Sequence, residues 1–185
     1  MRKILNNQDG FTLIELLLAI VVAAVLAAIA ISGYMHVQST AATAGIVNNI
    51  QKFETIADQY SAMNSGSFVG MNAQALQNDG LLPSGWTIVS GGWVNPPNQS
   101  TVTQYGISSG WLGLGSSYDI GFYGNGNSIT DAMVHSICLD FENKITGFRY
   151  NGTVTSVTTG GADCSVIPTD NNPISSTAGF ILGFE

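Results

Sequence analysis

The chain has 185 residues, of which only 9% are charged, and its formal net charge is −7 at neutral pH. This length fits one modest globular domain with an accessory segment and disfavours a multidomain enzyme, since domains typically have about 100–150 residues. Beyond the N-terminal apolar segment, the only cations are Lys52, Lys144 and Arg149. The sequence therefore has no basic cluster of the kind that binds the phosphate backbone of nucleic acids.

The first predicted element is an apolar helix over residues 11–31, in which Glu15 is the only ionisable side chain. At ~1.5 Å per residue, such a helix is about 30 Å long and matches the hydrocarbon core of a bilayer. Arg2 and Lys3 precede it. Because positive charge stays on the cytoplasmic side, the sequence predicts a single span with its N-terminus inside and its C-terminus outside.

The helical pattern continues past this run to residue 60. Apolar side chains recur at spacings of three and four, which is typical of one face of a helix; they include Tyr34, Val37, Ala41, Ala44, Val47, Ile50, Phe53, Ala57 and Tyr60. We therefore predict one helix over residues 11–60, with residues 11–31 as its membrane and assembly part. A secretory signal peptide is the alternative, but its apolar core would be shorter and would end at a small-residue cleavage site.

Glu15 stands well inside the apolar run. A carboxylate there costs roughly 2.5–3.5 kcal/mol on insertion scales, so an ionisable group in this position indicates a function. The alternative is a carboxylate close enough to the cytoplasmic face to remain hydrated.

Residues 10–15 read GFTLIE, after a short polar leader and before the long apolar helix. This arrangement resembles the processing site of type IV pilins. The resemblance implies that residues 1–10 are a leader peptide. It also implies that a prepilin peptidase cuts between Gly10 and Phe11 on the cytoplasmic side and methylates the new amine of Phe11.

The same resemblance implies the partners of the chain. Glu15 would pair with the Phe11 amine of a neighbouring subunit in a helical homo-oligomeric filament, and this pair would set the register of the subunits, as a buried polar residue does in a coiled coil. Other implied partners are the inner membrane before assembly, an inner-membrane assembly platform with its motor ATPase, and an outer-membrane secretin.

Gly33 is a candidate hinge in the long helix. Many type IV pilins carry a proline about twenty residues into the mature helix, whereas this chain has Ser32 and Gly33 at that point. Glycine costs roughly 1 kcal/mol inside a helix and permits local unwinding. Simple tolerance of glycine in membrane helices is the alternative.

Residues 61–185 form the predicted globular domain. The pattern predicts a short helix over 71–82, strands over 86–89, 93–94 and 118–123, and a helix through 131–141 that Ser128 or Thr130 could cap. A hairpin is predicted around Asn151-Gly152, and a terminal strand in residues 179–184. The expected fold is α+β and pilin-like, with the long helix packed on an antiparallel sheet with short helices. The order of elements resembles type IVb pilins, while the short leader resembles type IVa.

Cys138 and Cys164 are the only cysteines, and both lie on the side predicted to be exported. In an oxidising compartment a disulfide that bounds region 138–164 is the leading interpretation. Metal ligation is disfavoured, because no further His or Cys stands at ligand spacing. We expect no metal, no cofactor and no catalytic residue, and we interpret Asp131 and His135 as a pair on a helix surface.

The resemblance implies a structural subunit of a type IV pilus rather than an enzyme. Such a subunit would begin as a single-pass precursor in the inner membrane. It would then enter an extracellular filament that serves adhesion, aggregation, motility or DNA uptake. A pseudopilin of type II secretion is the alternative, and a membrane-anchored enzyme is a more distant one.

Overall fold

The computed structural model describes residues 11–89, 91–97, 102–110, 118–124, 128–156, 162–174 and 179–184. The helices are α1 Leu13–Met63, α2 Ala73–Asn78 and α3 Asp131–Phe141, together with a 3₁₀ turn Cys164–Val166. The strands are β1 Thr87–Val89, β2 Trp93–Asn95, β3 Val102–Ser108, β4 Tyr118–Gly124, β5 Ile145–Tyr150, β6 Thr153–Ser156 and β7 Phe180–Phe184. A long helix followed by an antiparallel sheet and short helices confirms the predicted α+β, pilin-like class.

Two compact units make up the chain, Met1–Ala41 and Ala42–Glu185. In the second unit, the described residues form one seven-stranded sheet in the order β1-β2-β3-β4-β7-β5-β6, and each neighbouring pair is antiparallel. The C-terminal strand β7 therefore lies inside the sheet, between β4 and β5. Strand β3 was missing from the sequence-based prediction.

The second half of α1 covers one face of this sheet. Ile46, Ile50, Phe53 and Ala57 recur at spacings of four and three and are at most 1% exposed. The Phe53 ring lies 5.9 Å from the ring of Tyr105 in β3. The apolar periodicity that predicted the helix thus also marks the stripe that it buries.

Helix α3 packs on the same face of the sheet. Its Phe141 ring lies 5.9 Å from the ring of Phe184 in β7. Phe184 and Phe180 point to the same face of the sheet, because side chains alternate along a strand. The register pairs Phe180 with Phe122 of β4 and Phe122 with Tyr105 of β3, so these side chains lie on that face as well. The two helices and the inner face of the sheet therefore enclose one aromatic core.

Local turn chemistry sets the ends of the first two helices. Helix α1 runs three residues past the predicted end, and the Gly66 N–H then donates to Ser61 O at 2.8 Å, beside Ser65 at φ 57°. Helix α2 is shorter than predicted. Asn72 caps its start by accepting from the Ala75 N–H at 3.0 Å, and the N–H of Leu81 turns back to Leu76 O.

Candidate functional site

The apolar part of α1, Leu13–Ile31, is the one helix in the described residues that is long and apolar enough to cross a membrane. Its 19 residues span about 28 Å, close to the ~30 Å of a hydrocarbon core. None of this segment is buried within the protein, and its large apolar side chains are exposed by between 51% at Val22 and 86% at Leu13. An apolar surface of this size needs a membrane or other helices to cover it.

Thr12 and Glu15 together form the start of α1. The Thr12 N–H and the Thr12 hydroxyl both donate to Glu15 Oε2, at 3.0 Å and 2.8 Å, and the Glu15 N–H donates to Thr12 Oγ1 at 3.4 Å. This is a capping box, in which a Thr at the N-cap and a Glu three residues later satisfy each other's backbone donors. The positive end of the helix dipole further favours a carboxylate in the first turn.

The two carboxylate oxygens of Glu15 differ in their surroundings. Both donors from Thr12 reach Oε2, whereas within the described residues Oε1 accepts no hydrogen bond. Glu15 is fully exposed in the single chain and is surrounded on its helix by exposed apolar side chains. One oxygen therefore holds the helix start, and the other can take a cationic partner from outside the chain.

The other N-terminal residues singled out by the sequence take different positions. Gly10 lies outside the described residues. Phe11 stands immediately before the capping box and is 87% exposed. The backbone of α1 remains helical through Gly33, so a hinge there stays a prediction.

Cys138 of α3 and Cys164 of the 3₁₀ turn are joined by a disulfide. Both are buried, at 0% and 3% exposure, so the bond lies in the core rather than on the surface. In the described part of the chain, no group of three or more His, Cys, Asp or Glu residues could hold a metal ion.

The expected surface pair of Asp131 and His135 is wrong. Asp131 is buried, at 6% exposure, and its Oδ1 accepts a hydrogen bond of 2.6 Å from the Tyr150 hydroxyl. His135 Nδ1 lies 3.0 Å from Ile167 O and must carry the proton, because a carbonyl can only accept. Burial, and after it the hydrogen bond to Asp131, raises the pKa of Tyr150 well above its ordinary value. The side chains of Asp131 and His135 thus stabilise the packing of α3 against its neighbours.

Sequence reasoning missed the role of Thr12. The Thr-x-x-Glu pattern that signals a capping box was visible at residues 12–15. The sequence-based interpretations of Glu15, a partner in another subunit or a hydrated carboxylate, include no partner within the same chain. The hydrogen bonds from Thr12 give Glu15 a partner within its own chain.

Residues 5–31 match the family model of the prokaryotic N-terminal methylation motif. No curated protein and no solved structure shows significant similarity to the chain. The match supports a type IV pilin or pseudopilin and indicates a structural subunit rather than an enzyme. Together with the apolar helix, it indicates membrane anchoring, processing by a prepilin peptidase and polymerisation.

Proposed function

We propose that this chain is the structural subunit of a type IV pilus, which is cut after Gly10, methylated at Phe11 and polymerised into a surface filament. The observation that carries the proposal is the methylation motif over residues 5–31 directly on an unburied apolar helix of membrane length. The motif provides for cleavage and methylation. The apolar helix provides a surface that is covered first by lipid and then by the helices of other subunits.

The precursor is inserted with its N-terminus in the cytoplasm. Arg2 and Lys3 precede the span, and the second unit of the chain follows it on the outer side. Cleavage on the cytoplasmic side leaves the span in the membrane as a reservoir of subunits. Assembly then draws on the platform, motor ATPase and secretin that serve pilins of this kind, and the filament supports adhesion, aggregation, motility or DNA uptake.

The chemistry of assembly rests on Glu15 and the amine created at Phe11. Cleavage after Gly10 leaves the Thr12 N–H in place, so the capping box is the same in the precursor and in the mature chain. Glu15 Oε1 then accepts a hydrogen bond from the Phe11 amine of the neighbouring subunit in the water-poor helix bundle. Both charges are paired there, and the axial register of the subunits is fixed.

The test separates the charge of Glu15 from its capping role. Glu15→Gln keeps a side chain that can complete the capping box but loses the negative charge. Glu15→Ala loses both. Thr12→Ala keeps the charge and loses only the cap, at about 0.5–2 kcal/mol. Each variant is expressed as the sole copy of the chain, and surface filaments are counted by electron microscopy while membrane-bound subunit is measured by immunoblot.

We expect Glu15→Gln to abolish filaments almost as completely as Glu15→Ala, because removing one partner of a buried ion pair costs ~3–5 kcal/mol at every subunit. Both variants should be cleaved normally and should accumulate in the membrane. Thr12→Ala should still assemble. Normal filaments from Glu15→Gln would contradict the ion pair. A deletion strain that keeps its surface filaments but loses protein secretion would indicate a pseudopilin instead.

A further inference from the structure

Strand β7 joins two halves of the sheet. It pairs with β4 through five register positions, from Tyr118↔Phe184 to Phe122↔Phe180, and on its other side with β5. In the described sheet, β1–β4 and β5–β6 meet only through β7. All five residues of β7 are buried. Before β7 inserts, the sheet therefore has an open slot with an unpaired strand on either side, which any copy of this strand could fill.

Residues 162–174, which we call the strap, run antiparallel along α3 just before β7. Their contacts follow the helix from its C-terminal end to its N-terminal end. At the C-terminal end, the Ala162 N–H donates to Glu142 O and Cys164 is bonded to Cys138, and in the middle Ile167 O faces His135. At the N-terminal end, Asp170 O accepts from the Ala132 N–H, Asn172 O accepts from the Asp131 N–H, and the Ile174 N–H donates to Ile129 O. The strap carbonyls also cap α3, whose N-cap residue Thr130 makes no side-chain cap bond.

The strap shortens the tether of β7. With the strap in place, Phe180 follows the fixed residue Ile174 by six positions and can lie at most about 20 Å away. With the strap released, the nearest fixed point is the end of β6 at Ser156, 24 positions before Phe180, which allows about 80 Å. The effective concentration of a tethered segment falls with roughly the −3/2 power of tether length, so release lowers it about eightfold.

We propose that the strap, held by the disulfide, keeps β7 in its own subunit and prevents its exchange into the open slot of a second copy of this chain. Both cysteines precede β7, so the bond can close while β7 is still unpaired. Exchange of an identical element between copies of a chain is a low-cost route to oligomers. The inference concerns folding of the second unit and does not depend on the filament role.

The test uses the full chain in detergent, prepared with two different N-terminal affinity tags. The two preparations are unfolded in denaturant without reductant, mixed and refolded by dilution, and the fraction of one tag that co-purifies with the other is measured. Wild type is compared with Cys138→Ser/Cys164→Ser. Association through the apolar part of α1 is common to both proteins, so wild type is the matched control.

A covalent measurement identifies the exchanged strand. Arg149 of β5 and Ile181 of β7 are register partners. In the serine background, one tagged chain carries Arg149→Cys and the other carries Ile181→Cys, so a disulfide between the two tags requires β7 of one copy beside β5 of another.

We expect mixed-tag dimers to be more abundant for the serine variant than for wild type, with about eightfold as the upper limit that full release of the strap would give. We expect the Arg149→Cys/Ile181→Cys link to form within these dimers. Equal co-purification of the two proteins would overturn the proposal, and so would mixed dimers without the link. A serine variant that recovers no native near-ultraviolet circular dichroism would also overturn it, because the disulfide would then be needed for folding itself rather than for the choice of strand.

Discussion

Phe53→Ala tests the docking of α1 on the sheet. The Phe53 side chain is fully buried and lies edge-on to Trp86, with ring centroids 5.1 Å apart, and 5.9 Å from the ring of Tyr105. It therefore connects the long helix to strand β3 and to the loop before β1. Its removal opens a cavity at the centre of the aromatic core.

The expected loss is near the upper end of the ~3–5 kcal/mol that Phe→Ala substitutions cost in cores. Two ring contacts, each worth ~0.5–1.5 kcal/mol, vanish together with the buried area. A domain with a total stability of ~5–15 kcal/mol would become marginal. The free energy of unfolding is measured by urea unfolding of the full chain in detergent. Tryptophan fluorescence, to which Trp86 contributes, follows the transition.

Gln51→Ala is the matched control for this substitution. Gln51 is exposed and lies two residues before Phe53 on the same helix. A surface change of this kind should alter the free energy of unfolding by no more than ~0.5 kcal/mol. If Phe53→Ala also lost less than about 1 kcal/mol, α1 would not be packed on the sheet in the way described, and the reasoning would be refuted.

Two further predictions concern single contacts and use the same unfolding assay. Tyr150→Phe should cost ~1–3 kcal/mol, because the buried Asp131 carboxylate loses its donor; a loss below ~0.5 kcal/mol would contradict that role. Gly179→Ala should cost clearly more than Gly92→Ala. Both glycines have positive φ, of 59° and 78°, but a Cβ at Gly179 would lie 2.6 Å from the Tyr123 ring, whereas a Cβ at Gly92 meets nothing within 4 Å. Equal losses of unfolding free energy for the two variants would show that an alanine at position 179 does not clash with the Tyr123 ring.

Elements with strong local signals were predictable from the sequence. The apolar period of α1 marks both the helix and its buried stripe. The Asn151-Gly152 pair forms the turn between β5 and β6, with φ of 46° and 84°, because these two residues tolerate the positive φ that a tight hairpin needs. In such places, the conformation follows from a few adjacent residues.

Features that depend on distant parts of the chain were missed. In β3, Tyr105 and Ile107 are the only large apolar side chains that are buried among the described residues. Gly106 between them and the polar residues on either side hide the alternation that marks a strand. The cap of α3 comes from strap carbonyls some forty positions along the chain, which no pattern around Thr130 reveals. Asp131 was assigned to the surface because its partner Tyr150 belongs to another element.

The candidate site divides in the same way. The span and its carboxylate followed from the apolar run of residues 11–31 and the position of Glu15 in it, and the capping-box pattern could have identified Thr12. The proposed partner of Glu15 Oε1, the Phe11 amine of another subunit, lies outside the single chain. The sequence and the structure of one chain therefore identify the groups that are available for pairing, and the Glu15→Gln variant tests the pair itself.

The mass of the subunit in purified surface filaments tests the central claim most directly. Intact-mass and N-terminal analysis should give a chain that begins at Phe11 and carries one additional methyl group at its N-terminus. In cells that express Gly10→Val, only the full-length precursor should be found, and it should remain in the membrane. Filaments built from chains that retain residues 1–10, or filaments that do not contain this chain, would contradict the account.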